Sequence, residues 1–417
     1  MENKITKIIA EEIKDSRGNP TVKVTVFSGD ISDSFSVPSG ASTGIHEAWE
    51  LRDPEPEQAR YGAGFDGKGV KKAIDNVNNI IASALIEKDI LNQKEIDRIM
   101  LELDGTPNKS KLGGNAIIGV SIACAKTAAR VSEAEVFEYL RTLAEIKPSR
   151  SVPYLYMNLI NGGKHAKNNL AFQEYHIVPH TNNAKEAIEI GIKIQNTLKE
   201  IIIKDLGAES VVLGDEGGFA PKITGIKKPL EYLQEAIKQN NLTEKVCLAL
   251  DVAASSFFQE GRYEIDGKSV SKEELMNIYN SLIDEFDLLS IEDPFEEEDF
   301  ENFQKLKQDD FYVVGDDLTV TNSMLLKKAI KNNSIDAIII KPNQIGTLTE
   351  TLETMRLARE NNIELIISHR SGETMDNFIA DLAYAFGCFG LKSGAPTKSE
   401  RMVKYERLIK IINNEQT

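Results

Sequence analysis

Six positions in the later part of the chain carry ionisable side chains directly after short apolar runs. Asp251 follows "VCLAL", Glu292 follows "DLLSI" and Asp316 follows "FYVVG". Lys341 follows "IDAIII", His369 and Arg370 follow "IELIIS", and Lys392 follows "CFGL". The intervals are 41, 24, 25, 28 and 23 residues, close to one strand–helix unit each. A single charged residue after a strand is as often a helix cap or a loop solvator. Six in phase point to one place, the C-terminal mouth of a parallel barrel, where functional groups gather. The order of types is informative. Three carboxylates without supporting Cys or His offer hard oxygen ligands suited to Mg²⁺ rather than zinc. Two lysines and an arginine on the succeeding strands suit a substrate with more than one negative charge.

Such a site needs a scaffold, and the pattern of elements supplies one. Up to about Ser36 the chain reads as antiparallel strands, with "PTVKVTVFSG" alternating apolar and polar residues. Helical periodicity follows over 68–103 and 113–142. A polar stretch, "IKPSR" (146–150), marks the expected boundary between a small α+β capping domain, 1–145, and a C-terminal domain, 146–417. Beyond it, eight β-rich runs alternate with helices expected at Ala184–Leu206, Leu230–Asn240, Lys272–Phe286, Thr321–Asn332, Thr349–Asn361 and Ser399–Ile412. Short β-rich runs separated by helices imply a parallel sheet. The join at Asn161–Leu170 is too short for a parallel crossover, so the first two runs should be antiparallel. The resulting order is ββαα(βα)₆, an α/β fold of TIM-barrel type.

Composition narrows the function classes. The 417 residues are 41% hydrophobic and 27% charged, ordinary for a soluble globular protein. The first thirty residues hold no apolar leader, and no apolar run approaches the ~18 residues of a membrane span. Three scattered cysteines fit neither a disulfide framework nor a zinc site, and a cytoplasmic setting is expected. A net charge of −16 argues against a nucleic-acid partner.

Nine motifs carry a family resemblance. "SRGNPTV" (16–22), "VPSGASTG" (37–44), "NKSKLG" (108–113), "GDEGGFAP" (214–221), "SIEDPF" (290–295), "GDDLTVTN" (315–322), "NQIGT" (343–347), "SHRSGET" (368–374) and "KSGAPTKSER" (392–401) resemble enolase signatures in enolase order. The resemblance implies a Mg²⁺-dependent lyase that interconverts 2-phosphoglycerate and phosphoenolpyruvate, a small phosphorylated three-carbon acid, in glycolysis and gluconeogenesis. It implies Asp251, Glu292 and Asp316 as ligands of a first Mg²⁺. A second Mg²⁺, arriving with substrate, would use Ser42 in a mobile "SGAST" loop that closes over the site. It implies Lys341 as base and Glu216 as acid, with His165, Gln173 and Glu174 lining the site. His369, Arg370 and Ser371 would bind substrate, the last two through its phosphate, with Lys392 at the carboxylate. Ser371 at a helix start would add backbone N–H groups. Lys341 serves as a base only if its pKa falls, which Lys392 and Mg²⁺ would favour. A homo-oligomer, dimer or octamer, follows from the family alone.

Other features are read as incidental. "GAGFDGK" (62–68) lacks the Ser or Thr of a phosphate loop and the preceding strand. "HEAWE" (46–50) lacks the second histidine of a zinc motif. His176 and His180 are expected at a strand end or in a loop, and "FEEEDF" (295–300) at a helix start. Pro342, after the proposed base, favours extended geometry at Lys341, and Lys167 adds charge beside the site. The alternatives are another dehydratase of the superfamily, or a non-catalytic or moonlighting binding protein that kept the fold. A phosphoenolpyruvate assay with and without Mg²⁺ separates them.

Overall fold

The computed structural model describes residues 3–41, 44–53, 67–166 and 168–415. Ser42, Lys167 and residues 62–66 of "GAGFDGK" therefore lie outside the described residues. The chain opens with an antiparallel meander of β1 (Lys7–Lys14), β2 (Pro20–Ser28) and β3 (Ile31–Ser36). In β2 the alternation of the sequence becomes an alternation of burial. The buried face packs on the helix Gly114–Val131, which is apolar nearly all round and buried to match. Gly119 allows that approach, since a Cβ there would come 2.8 Å from Cγ2 of Val24.

The expected helix over 68–103 is two helical segments. Lys71–Leu85 contains a π-helical turn, Asn76–Ile81, next to a side chain with a long-range task. Asn78 pairs with both backbone groups of Ala10, at 2.7 and 3.1 Å. The second segment, Gln93–Asp104, starts at the Asn92 cap and stops at Gly105, φ +68°.

The rest closes into a barrel. Its strands are β4 (Tyr154–Asn161), β5 (Glu174–Pro179), β6 (Val246–Asp251), β10 (Leu288–Glu292), β11 (Tyr312–Gly315), β12 (Ala337–Ile340), β13 (Glu364–Ser368) and β14 (Gly390–Lys392). Strand β5 is antiparallel to both neighbours, as the short join requires, and the other pairs are parallel. Strands such as "AIII" are buried on both faces because helices cover the outside. The expected helices are present with ends shifted by up to three residues, as in Ser323–Lys331 and Ser399–Glu415. A small sheet of β7 (Phe258–Gln259), β8 (Arg262–Ile265) and β9 (Lys268–Val270) was not anticipated. Its signal was readable: Asp266-Gly267, both at positive φ, is a type I′ hairpin turn.

The N-terminal helices lock onto the barrel at one helix start. Leu348 N–H donates to Ser121 Oγ at 2.9 Å, and Thr349 N–H to Asp97 Oδ2 at 3.0 Å. These are orphan donors of the helix Leu348–Glu360, satisfied by side chains from the other part of the chain.

Candidate active site

The six in-phase positions share one end of the barrel. Asp251 ends β6, Glu292 ends β10 and Lys392 ends β14, while Asp316, Lys341 and His369 directly follow β11, β12 and β13. Asp251 and Glu292 are register partners on adjacent strands. All of them except Glu292 line one highly polar cleft, together with His165, Gln173, Glu174, Glu216, Arg370 and Ser371. Glu292 sits just behind, against Lys392. Every expected site residue that is described therefore lies in or against this cleft.

Buried charges of opposite sign interlock in it. Lys392 Nζ lies 3.0 Å from Asp251 Oδ2, 2.8 Å from Glu292 Oε2 and 3.3 Å from Glu174 Oε2. Burial opposes the charge on Lys392, but Asp251, Glu174 and Glu292 outweigh it and hold the lysine well above its ordinary range. Glu174 is buried too, and Lys392 with the neighbouring histidines keeps it well below the carboxylate range. Glu292 moves the other way, pushed well up by burial and by Asp251.

Lys341 is tied to Asp316. The expectation that its pKa falls is not met by the protein side chains alone. Burial lowers it, yet Asp316, supported by Glu292, raises it above the ordinary lysine range. A dication on Asp316 would weaken that pairing. Lys341 itself is extended, φ −128° and ψ 99°, with Pro342 opening a short helix behind it. Thr321 Oγ1 accepts from Lys341 N–H at 2.9 Å and donates to Gln344, whose Nε2 donates to Asp316 at 2.9 Å. Val320 and Thr321 both take positive φ, 41° and 56°, strain that β-branched residues accept only under strong local constraint.

On the other side, His165 Nδ1 is 3.2 Å from Glu174 Oε1 and 3.5 Å from Glu216 Oε1. Burial disfavours its charge, but Glu216 and Glu174 outweigh it and raise its pKa. Asn158 donates to Glu216 Oε2 at 2.9 Å, and His369 Nε2 is 3.6 Å from the same oxygen. Gln173 donates to Asp251 at 3.2 Å.

The proposed phosphate end holds an internal carboxylate. Arg370 grips Glu47 through two 3.0 Å bonds and Asn343 through a third. Ser371 is not at a helix start, because the next helix is Phe378–Ala385. Its hydroxyl instead accepts from Arg17 at 3.2 Å. Gly372 leaves room for this, since a Cβ there would meet Asp15 and Arg17 at 2.3–2.8 Å. His176 also departs from expectation: it lies inside β5, buried, 2.8 Å from Glu174. His180 follows β5 and stacks on Tyr154. The acidic run precedes its helix, Phe300–Leu306, with Asp299 as the cap.

The donor set suits a hard dication. Glu292 Oε1 is a buried carboxylate oxygen without a hydrogen-bond partner among the described residues, and burial, with crowding by Asp251, raises the pKa of this residue. Among the described residues, three ligand atoms come within 4.8 Å of one another at His165–Glu174–Glu216 and at Asp293–Asp316–Asp317. The expected trio is not so gathered, since Lys392 bridges two of its members and Lys341 holds the third. Asp293 and Asp317 were missed from sequence, although they directly follow Glu292 and Asp316 in "SIEDPF" and "GDDL". Asp293 accepts from the backbone N–H groups of Asp316 and Asp317 at 2.9 and 2.7 Å. Burial, with Asp316 next to it, pushes Asp317 up to about 8.

Comparison with known proteins agrees with this architecture. Residues 5–140 match the family model "Enolase, N-terminal domain", and residues 149–416 match "Enolase, C-terminal TIM barrel domain". The chain is 46% identical over 410 residues to a protein named Enolase from Methanocaldococcus jannaschii, covering 98% of this chain and 94% of the relative. It is also 46% identical over 414 residues to an Enolase from Methanosarcina barkeri, with the same coverage. The chain belongs to the enolase family.

Proposed function

We propose that this hydro-lyase, a phosphopyruvate hydratase, divides its reversible dehydration of 2-phospho-D-glycerate between Lys341 and Glu216. Lys341 Nζ takes the C2 proton. The electron pair left behind forms the C2–C3 double bond as the C3–O bond breaks, and Glu216 protonates the departing hydroxide to water. Arg370 and Ser371 hold the phosphate, which displaces Glu47 from the guanidinium fork. Lys392 faces the carboxylate. His165, Gln173 and Glu174 shape the opposite wall, and Glu174 anchors Lys392. Mg²⁺ would be held by Asp251, Glu292 and Asp316, with Ser42 joining a second ion that arrives with substrate. When bound, it supplies Lewis-acid stabilisation of the charge that grows on the substrate carboxylate.

The observation that carries this reading is the shared cleft. A half-buried lysine, a buried glutamate, two of the three metal-type carboxylates and the anion-holding cations open onto the same small volume. The test follows phosphoenolpyruvate from 2-phosphoglycerate with Mg²⁺ and with chelator. Turnover that survives thorough chelation would refute the assignment of the carboxylates. The reading further includes the 145/146 domain division, a role in glycolysis and gluconeogenesis in the cytoplasm, and assembly into a dimer or octamer. Light scattering on the purified protein distinguishes those two assemblies from a monomer.

A further inference from the structure

Arg401, in the last motif of the chain, is completely buried at 0% exposure, yet among the described residues no carboxylate pairs with it. Its partners are all neutral. Nη1 lies 2.5 Å from His369 Nδ1 and donates to Arg370 O at 2.7 Å. Nη2 donates to Ser371 O at 2.7 Å and to Asp215 O at 3.2 Å. A buried cation without a counter-ion is costly, so the fold retains it against a penalty. What it acquires is a join between two segments: 369–371 after β13, and the loop that carries Glu216.

The join also dictates a proton position. A guanidinium offers only N–H donors and keeps its charge at any working pH. Nδ1 of His369 must therefore accept, and the single imidazole proton sits on Nε2. That Nε2 is buried without a hydrogen-bond partner among the described residues and lies 3.6 Å from Glu216 Oε2. Burial, then the charge of Arg401, holds His369 well below the ordinary histidine range, against the pull of Glu174 and with added push from Lys392 and Lys341. Gly394 keeps the space for this packing. At φ +74° its added Cβ would stand 2.7 Å from Glu216 O and 3.2 Å from both Arg401 Cδ and His369 Cε1.

We propose that Arg401 is a positioning residue that locks His369 as the neutral Nε2–H tautomer and aims that N–H, beside Glu216, at the oxygen leaving C3. The inference rests on the assignment of Glu216 to that hydroxyl. The neutral N–H steadies the departing oxygen by hydrogen bonding, while the proton that makes it water comes from Glu216.

Long-range ¹H–¹⁵N spectra of the whole protein, labelled at its five histidines, read the tautomer in the resting enzyme. The His369 signal is identified by its loss in His369→Asn. It should show a bare Nδ1 and a protonated Nε2, unchanged from about pH 8 down to about pH 5.5, a unit below the ordinary ~6.5. Arg401→Met, which keeps volume but removes every donor, should make His369 titrate or mix tautomers. Its kcat should fall about 10–100-fold, the scale for residues that orient a working side chain, with KM changed less than about threefold. Arg401→Lys should recover part of both. A wild-type ring with Nδ1–H, or one protonated at pH 5.5, overturns the proposal whether or not the variants fold. A folded Arg401→Met with an unchanged His369 spectrum overturns it too. Undiminished turnover in Glu216→Gln would instead overturn the assignment of Glu216, while the tautomer stands on the spectrum.

Discussion

Under the proposed roles, substituting Lys341 and Glu216 separates proton abstraction from loss of the hydroxyl, because only the first step creates the carbanion. Lys341→Ala should abolish both deuterium incorporation at C2 of 2-phosphoglycerate in heavy water and product formation. Glu216→Gln should stop product formation by ~10²–10⁴-fold yet leave C2 exchange measurable. Normal exchange in Lys341→Ala with none in Glu216→Gln would reverse the two roles. The carboxylates test differently: Asp251→Ala, Glu292→Ala and Asp316→Ala should each lose Mg²⁺ binding and turnover while the barrel stays folded. Calorimetric titration with Mg²⁺ reads the first loss, and full activity in any one of them removes that residue from the ligand set. Asp316→Ala should in addition lower the pKa of Lys341, whose main raising partner is that carboxylate. At this scale sequence position placed the residues at the barrel mouth but not their partners. Nothing local announces that Glu47 meets Arg370, 323 positions away, or that Arg401 reads the ring of His369.

Among the elements, the helix Leu348–Glu360 shows how the two parts of the chain depend on each other. Asp97, 1% exposed, accepts from Thr349 N at 3.0 Å, Thr349 Oγ1 at 2.6 Å and Gln93 Nε2 at 3.0 Å. Asp97→Ala removes the acceptor of both Thr349 donors, while Gln93 Nε2 keeps Ser121, and should cost about 1–3 kcal/mol. The midpoint of denaturant unfolding should fall accordingly, with kcat within about twofold because the contact is remote from the cleft. An unchanged midpoint would show that the cap contributes nothing. Helices were legible wherever periodicity met a cap, as at Ser271, whose capping box opens Lys272–Phe286. The π-turn at Asn76–Ile81 was not, because its register answers to Ala10 on another element.

For the whole molecule, the crowded acids imply a pH signature of the metal-free protein. Asp317 is pushed up to about 8, and Glu292 and Asp293 are held well above the carboxylate range, in each case first by burial. An acid whose folded pKa exceeds its unfolded value binds more protons when folded. Its stabilisation is present at low pH and lost as pH rises toward the folded pKa. His165, also raised, acts in the same direction. The lowered groups act elsewhere: Glu174 and Asp316 below the ordinary carboxylate range, and His369 below about 6.5. Between about pH 6.5 and 8, Tm in chelator should therefore fall. Saturating Mg²⁺ should raise Tm and flatten that fall, since ligand binding to the folded state stabilises it. A chelated Tm that is level or rising over this window would contradict the arrangement.

The sequence by itself determined the barrel order, the antiparallel second barrel strand and the side chains that ring the mouth. These follow from strand and helix periods, join lengths and residue spacing, all local along the chain. Tertiary structure alone decided which carboxylates Lys392 and Lys341 join, where Ser371 finds its support, and that Asp293 and Asp317 crowd Asp316. It also decided the state of Lys341, which sequence logic placed below its ordinary pKa and the packed charges place above it. The physical reason is that pairing and desolvation depend on distances of 3–4 Å between residues up to hundreds of positions apart. Periodicity specifies which way a side chain faces, whereas only the closed barrel specifies what it meets there.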